Sequence, residues 1–167
     1  KGFICQSCHM PEIDRPVAVG GPIRPGRQHL WRGGHDPEMI KRAMAVQVRA
    51  DPAVPKPGEQ VRFTLTVINA GAGHKIPTGD PDRHFTVEFS VQDGRGKVLS
   101  RQVETMGRWI LWQPVILEVY DNRLLPLASR EYTFVSHMPT ESAQTAGLPL
   151  KATVRYHILT GGQHEML

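Results

Sequence analysis

Cysteine is scarce in this sequence, and long apolar runs are missing. The 167 residues include only two cysteines, both within the first eight positions, which excludes a framework of several disulfides. No apolar run approaches the length of about 18 residues that a transmembrane helix needs. Charged residues make up 22% and hydrophobic residues 40% of the chain, so wholesale disorder is excluded and one domain with a proper core is expected.

An excess of charge of one sign is also missing. Lys and Arg number 20 against 16 Asp and Glu, which gives a formal net charge of +4. Because the basic residues are scattered and form no stripe, we expect no nucleic-acid partner. The chain begins at Lys1, without an initiator Met or an apolar signal segment, so we expect either a processed mature chain or part of a longer one.

The two cysteines that are present belong to a motif with a chemical meaning. Cys5-Gln6-Ser7-Cys8-His9 is the pattern by which c-type haem is attached to protein. Two thiols three positions apart can form thioethers with the two vinyl groups of one haem, and His9 can reach the iron as its proximal ligand. The motif therefore predicts one covalently bound haem c, held by Cys5, Cys8 and His9.

Three other uses of the cysteine pair fit the sequence less well. A thioredoxin-type pair is followed by a helix in a βαβ context, whereas Met10-Pro11 follows here. A zinc site needs two further ligands at regular spacing, and the chain has no other cysteine. A disulfide across two intervening residues can form, but it is strained. We therefore interpret the motif as a haem site.

Glycine and proline are abundant, at 16 and 14 residues, which indicates many turns and short strands. Residues 10–34 show no apolar period, so we expect an irregular segment there. Asp36 followed by Pro37 and an acidic residue predicts the start of a short helix over about 37–45. The chain before residue 45 is thus interpreted as a haem c-binding segment, residues 1–44.

From residue 45 onward the apolar period changes to two, which is typical of β-strands. Seven short strands are predicted, and they begin near Val46, Val61, Phe85, Val98, Ile116, Tyr132 and Ala152. A mainly β fold follows, with an immunoglobulin-like antiparallel β-sandwich domain over residues 45–167. A barrel is the main alternative architecture.

The second axial position of the iron decides between electron transfer and reactivity at an open site. His29 and His35 flank a short segment around Trp31, and His74 lies in a glycine-rich loop after a strand. These three histidines are the candidate distal ligands, and Trp31 is the tryptophan expected to touch the porphyrin. The four other downstream histidines are expected to be structural or surface residues, namely His84, His137, His157 and His164.

Three motifs together resemble the C-terminal part of bacterial and archaeal multihaem c-type cytochromes, in which a last haem-binding segment leads into a β-sandwich. They are Cys5-x-x-Cys8-His9-Met10-Pro11, His29-x-Trp31-x-Gly33-Gly34-His35 and Gly71-Ala72-Gly73-His74-x-x-Pro77-Thr78-Gly79. The resemblance implies single-electron transfer through closely stacked bis-histidine haems. It also implies that a histidine downstream of the attachment motif can serve a neighbouring haem instead of its own.

The chain departs from that family in having one attachment motif instead of several. We therefore expect other haem-bearing chains or segments as partners, in a homo-oligomer or a multihaem complex. Because haem c is attached on the outer side of the cytoplasmic membrane, we expect a periplasmic or extracellular location.

Two further functions stay open beside electron transfer. One is a haem enzyme subunit with an open distal site, of the nitrogen-oxide reductase or peroxidase type. The other is a structural docking module of a cytochrome complex or filament. Arg27, Arg32 and Asp36 lie near the haem motif but form no recognisable catalytic set, so an electron-transfer protein is expected here and not an enzyme.

Overall fold

The computed structural model describes residues 4–93, 95–140 and 150–159. The chain divides into two compact units, Lys1–Ile40 and Lys41–Leu167. The division predicted from sequence, at 44/45, stays a prediction as a domain boundary. Within the described ranges, no helix is both long enough and apolar enough to cross a membrane.

The first unit contains short regular elements. Helix α1 spans Cys5–His9, and strands β1 (Glu12–Pro16) and β2 (Ile23–Arg27) pair as an antiparallel hairpin. Helix α2 spans Pro37–Ala43, as its N-cap signal predicts. The expectation of an irregular segment over residues 10–34 is therefore wrong at the hairpin. Both strands of the hairpin contain proline, and every residue in them is exposed or half-buried. Their sequences therefore lack the alternating apolar pattern that predicts a strand.

The second unit consists of strands, which form two three-stranded antiparallel sheets and one separate hairpin. One sheet has the order β3-β4-β9 and the other the order β10-β5-β6, while β7 pairs with β8. The strands are β3 (Met44–Asp51), β4 (Gln60–Asn69), β5 (His84–Gln92), β6 (Val98–Met106), β7 (Arg108–Leu111), β8 (Leu117–Asp121), β9 (Ser129–His137) and β10 (Leu150–His157).

This strand order is the immunoglobulin arrangement. β3, β4 and β9 occupy the positions of strands A, B and E, and β10, β5 and β6 those of strands F, C and C′. Along the chain, the β7–β8 hairpin lies between β6 and β9. In the part of the chain that the structure describes, the two sheets stay separate and do not close into a barrel. The predicted mainly β sandwich is thus confirmed.

Alternating apolar residues build the interior between the sheets. The central strands β4 and β5 turn every second side chain inward, and none of these is more than 1% exposed. The inward set comprises Val61, Phe63, Leu65 and Val67 on β4, and Phe85, Val87, Phe89 and Val91 on β5. Phe89 stacks on Phe134 of β9 with ring centroids 5.5 Å apart, which joins one sheet to the other.

A pair of valine substitutions tests this assignment of the core. Val87→Ala removes two methyl groups from a fully buried site, so the free energy of unfolding is expected to fall by about 2 kcal/mol. Val48→Ala makes the same chemical change on β3, where the side chain is 56% exposed, and should cost less than about 0.5 kcal/mol. Denaturant unfolding measures both values, and equal losses would contradict the assignment.

Candidate functional site

Helix α1 places the three residues of the attachment motif on one side. Cys5, Cys8 and His9 stand at positions i, i+3 and i+4, and residues at this spacing are neighbours on a helix surface. Both cysteines are free thiols and both are exposed, whereas His9 is half-buried. The two sulfur atoms are therefore accessible to one planar group that also meets the imidazole.

The ring of His9 is oriented by a backbone atom. Its Nδ1–H donates a hydrogen bond to the carbonyl oxygen of Arg32. A carbonyl oxygen can only accept, so Nδ1 carries the proton and Nε2 carries the lone pair. This tautomer suits a histidine that binds a metal through Nε2, with Nδ1 held by the protein. The residues present thus fit a haem whose iron is bound by His9.

Arg27, on strand β2, holds the end of the motif helix. Its Nη1 donates to the carbonyl oxygens of Gln6, at 3.3 Å, and Met10, at 3.2 Å. A helix of five residues leaves most of its carbonyl groups without a partner inside the helix, and this guanidinium supplies one. Sequence analysis did not assign this role, because nothing in the spacing of Arg27 distinguishes it from other surface arginines.

The turn before helix α2 carries the carbonyl that His9 uses. Asp36 caps that helix, because its Oδ1 accepts the N–H groups of Glu38, at 3.0 Å, and Met39, at 3.2 Å. The other carboxylate oxygen of Asp36 lies 3.4 Å from Nη1 of Arg32. One carboxylate therefore fixes both the start of the helix and the residue that orients His9.

Two of the candidate distal ligands belong to this part of the chain: His29 precedes the turn, and His35 lies within it. His29 and His35 are both exposed, and both belong to the same compact unit as the attachment motif. Trp31, between them, is 61% exposed, and its neighbour Leu30 is 55% exposed. An exposed indole and an exposed leucine so close to the carbonyl that holds His9 are suited to cover an apolar ring.

His74, the third candidate, lies in the second unit, in an ordered loop. It is exposed, and its Nδ1–H donates to the carbonyl oxygen of Lys75 at 3.0 Å, which leaves the lone pair on Nε2. Asn69, which is fully buried, holds the backbone of this loop through hydrogen bonds of its side chain. Its Nδ2 donates to the carbonyl oxygens of His74, at 2.8 Å, and Leu124, at 3.2 Å, and its Oδ1 accepts the N–H of Ala72 at 3.2 Å.

A charged contact anchors the same loop to strand β8. Nζ of Lys75 lies 2.7 Å from Oδ2 of Asp121, and the side chain of Arg123 donates twice to that carboxylate. These bonds, with Arg123 the main cause, hold the pKa of Asp121 well below its usual range. The carboxylate therefore stays ionised, and the anchor of the loop persists in mildly acidic solution.

A pair of stacked histidines, which no sequence pattern predicts, lies at the end of the second sheet. His84 and His157 face each other on β5 and β10, with ring centroids 4.5 Å apart and ring planes within 6°. Nε2 of His157 lies 2.9 Å from Oγ1 of Thr86. His137 is exposed on β9, whereas His164 lies outside the described residues.

The stacked pair predicts a pH-dependent stability. Burial, aided by the nearby His84 and Arg155, lowers the pKa of His157 below its ordinary value of 6.5. The unfolded chain, in which the ordinary pKa returns, then binds more protons than the folded chain as the pH falls below 6.5. The contribution of His157 to the free energy of unfolding should therefore be full above pH 6.5, decline as the pH drops from 6.5 toward the lowered folded-state pKa, and level off below it.

Unfolding by denaturant at pH 5 to 8 measures this effect. His157→Gln should flatten the decline, and His137→Gln, at an exposed position of the other sheet, should leave the slope unchanged. An identical slope in the wild type and the His157→Gln variant would show that this ring does not carry the effect.

Within the described part of the chain, no three His, Cys, Asp or Glu side chains are grouped so that they could hold a metal ion. The attachment motif with its orienting turn is one candidate site, and the His74 loop, in the other unit, is a second one.

Comparison with known proteins places the fold. No protein-family model matches the sequence, and no curated protein matches it either. A solved structure does: the crystal structure of a penta-heme cytochrome c552 from Thermochromatium tepidum is matched with a TM-score of 0.69 and 22% sequence identity. The match shows that this chain shares the fold of part of that penta-heme cytochrome. The match covers 100% of this chain and 43% of that cytochrome, so the chain spans less than half of its length.

Proposed function

We propose that this chain is a c-type cytochrome module that carries one covalent haem and passes single electrons to neighbouring haems in a larger assembly. The observation that carries the proposal is the hydrogen bond from His9 to the Arg32 carbonyl, on the same helix side as two exposed thiols. Thiols alone suit several chemistries, but two thiols beside a histidine whose Nδ1–H is bonded to a backbone carbonyl suit a haem whose iron would be bound through Nε2. The similarity in fold to a penta-heme cytochrome supports the same assignment.

Each residue of the proposed site has a separate task. Cys5 and Cys8 would bind the haem through thioethers, and His9 would bind its iron through Nε2. The bound haem would supply one-electron chemistry, in which the iron alternates between its ferric and ferrous states. Arg27 fixes the helix that bears these three residues, and the exposed indole of Trp31 would shield part of the porphyrin from water.

A second histidine on the iron would make it low-spin and unreactive toward small molecules. His29, His35 and His74 remain the candidates for this position, on this haem or on a neighbouring one. His74 has the same proton placement as His9, since its Nδ1–H is engaged by a backbone carbonyl. Its loop is fixed by the buried side chain of Asn69, so little ordering free energy would be lost when a ligand binds there.

The partners proposed are other haem-bearing chains or segments, in a homo-oligomer or a multihaem complex. The thiols are exposed, and so are Leu30 and Trp31, so a haem attached here would add to an apolar surface that faces outward. An exposed apolar surface that includes a haem and these two side chains is typical of an interaction site. A periplasmic or extracellular location goes with this proposal, because covalent haem attachment takes place there.

Absorption spectra of the haem-loaded chain test the proposed ligation. The wild type is expected to be low-spin in both oxidation states and to leave its ferrous spectrum unchanged under carbon monoxide. Of His29→Ala, His35→Ala and His74→Ala, the one that removes the distal ligand of this haem should become high-spin and bind carbon monoxide. His137→Ala, an exposed histidine on β9, serves as the matched control and should behave as the wild type.

A high-spin wild type that binds carbon monoxide would contradict electron transfer through a bis-histidine haem and favour an enzyme with an open distal site. A low-spin wild type with no change in any of the three variants would show that the distal ligand comes from elsewhere.

A further inference from the structure

Trp31 has a backbone conformation that is unusual for its residue type. Its φ is +46°, in the left-handed region that bulky L-residues rarely occupy. Its side chain is 61% exposed, so burial of the indole offsets little of the cost of that conformation. Strained backbone that persists at a functional site often serves that site, which makes the surroundings of Trp31 informative.

The residue that follows Trp31 supplies the acceptor for His9. The carbonyl oxygen of Arg32 receives the hydrogen bond from His9 Nδ1. A backbone carbonyl cannot be re-aimed by rotating a side chain, so only the path of the main chain directs it. The φ of Trp31 is part of that path, one residue before the carbonyl.

The other side of the turn is fixed independently. The N–H of Asp36 donates to the carbonyl oxygen of Gly33 at 2.9 Å, and the carboxylate of Asp36 pairs with Arg32 and caps helix α2. The turn is thus anchored downstream, while upstream its direction depends on the conformation at Trp31.

We propose that the left-handed backbone of Trp31 is a positioning element that aims the Arg32 carbonyl at His9 and thereby sets the reduction potential of the haem. The inference rests on the proposed function. A hydrogen bond from Nδ1–H to a carbonyl makes Nε2 a stronger electron donor, and a stronger donor favours ferric over ferrous iron. Reduction adds one electron to the iron, with no bond formed or broken, so a weaker hydrogen bond raises the potential.

A series of variants at this position separates the backbone from the indole. Trp31→Asn and Trp31→Val both remove the indole and are similar in size, but Asn tolerates the left-handed region and the β-branched Val does not. Trp31→Gly and Trp31→Ala are added to the series. The tolerance of the left-handed region then falls in the order Gly, Asn, Ala, Val. An offset common to all four variants reports the lost indole, and the order within the series reports the backbone.

The reduction potential of the haem-loaded chain is measured by spectroelectrochemical titration, and exchange of the His9 Nδ1 proton is followed by NMR in the ferrous state. We expect the potential to become more positive from Gly through Val, and the proton to exchange about tenfold faster in the Val variant than in the Asn variant. If the Val variant does not fold, the comparison of Ala with Asn decides in the same way.

The role of the Trp31 backbone would be overturned if the Asn variant had the same potential and the same exchange rate as the Val variant, or as the Ala variant if Val does not fold. This outcome counts when the haem is attached and low-spin. A wild-type chain that binds no haem covalently would overturn both this inference and the proposed function. The two failures are therefore distinguished by whether haem is present on the purified chain.

Discussion

A backbone carbonyl can only accept a hydrogen bond, and this constraint determines the chemistry of the candidate site. Because the Arg32 carbonyl faces Nδ1 of His9, the proton is placed on that nitrogen and the lone pair on Nε2. The neighbouring contacts maintain this arrangement: Arg27 fixes the helix that bears His9, and Asp36 fixes the turn that bears the carbonyl. A five-residue helix would not be stable by itself, and Arg27 supports it by donating to carbonyl oxygens of Gln6 and Met10.

The second unit also orients a histidine through a backbone carbonyl, with different residues around it. His74 is also held through Nδ1–H by a carbonyl, and its loop is fixed by a buried asparagine where the first unit uses an arginine. The side chain of Asn69 bonds three backbone groups, the carbonyl oxygens of His74 and Leu124 and the N–H of Ala72, so this polar side chain in the core has its own partners.

Much of the fold could be predicted from sequence, and the exceptions have physical reasons. The central strands β4 and β5 are buried on one side along their whole length, so their apolar residues alternate and are recognisable. The strands β1, β2 and β7 are short and largely exposed, so no such pattern marks them. Similarly, Cys5, Cys8 and His9 are marked by their spacing, whereas the Arg32 acceptor is a main-chain atom that any residue would supply, and no sequence pattern could reveal it.

The central claim is that Cys5 and Cys8 hold a haem covalently, and intact mass spectrometry of the denatured, reduced chain tests it most directly. Produced in cells that attach haem c, the wild type should be heavier than its sequence by the mass of one haem, and should keep the haem absorption after denaturation. Cys5→Ala together with Cys8→Ala should return the mass to that of the polypeptide alone. A wild-type chain with the unmodified mass of the polypeptide would show that the cysteine pair holds no haem.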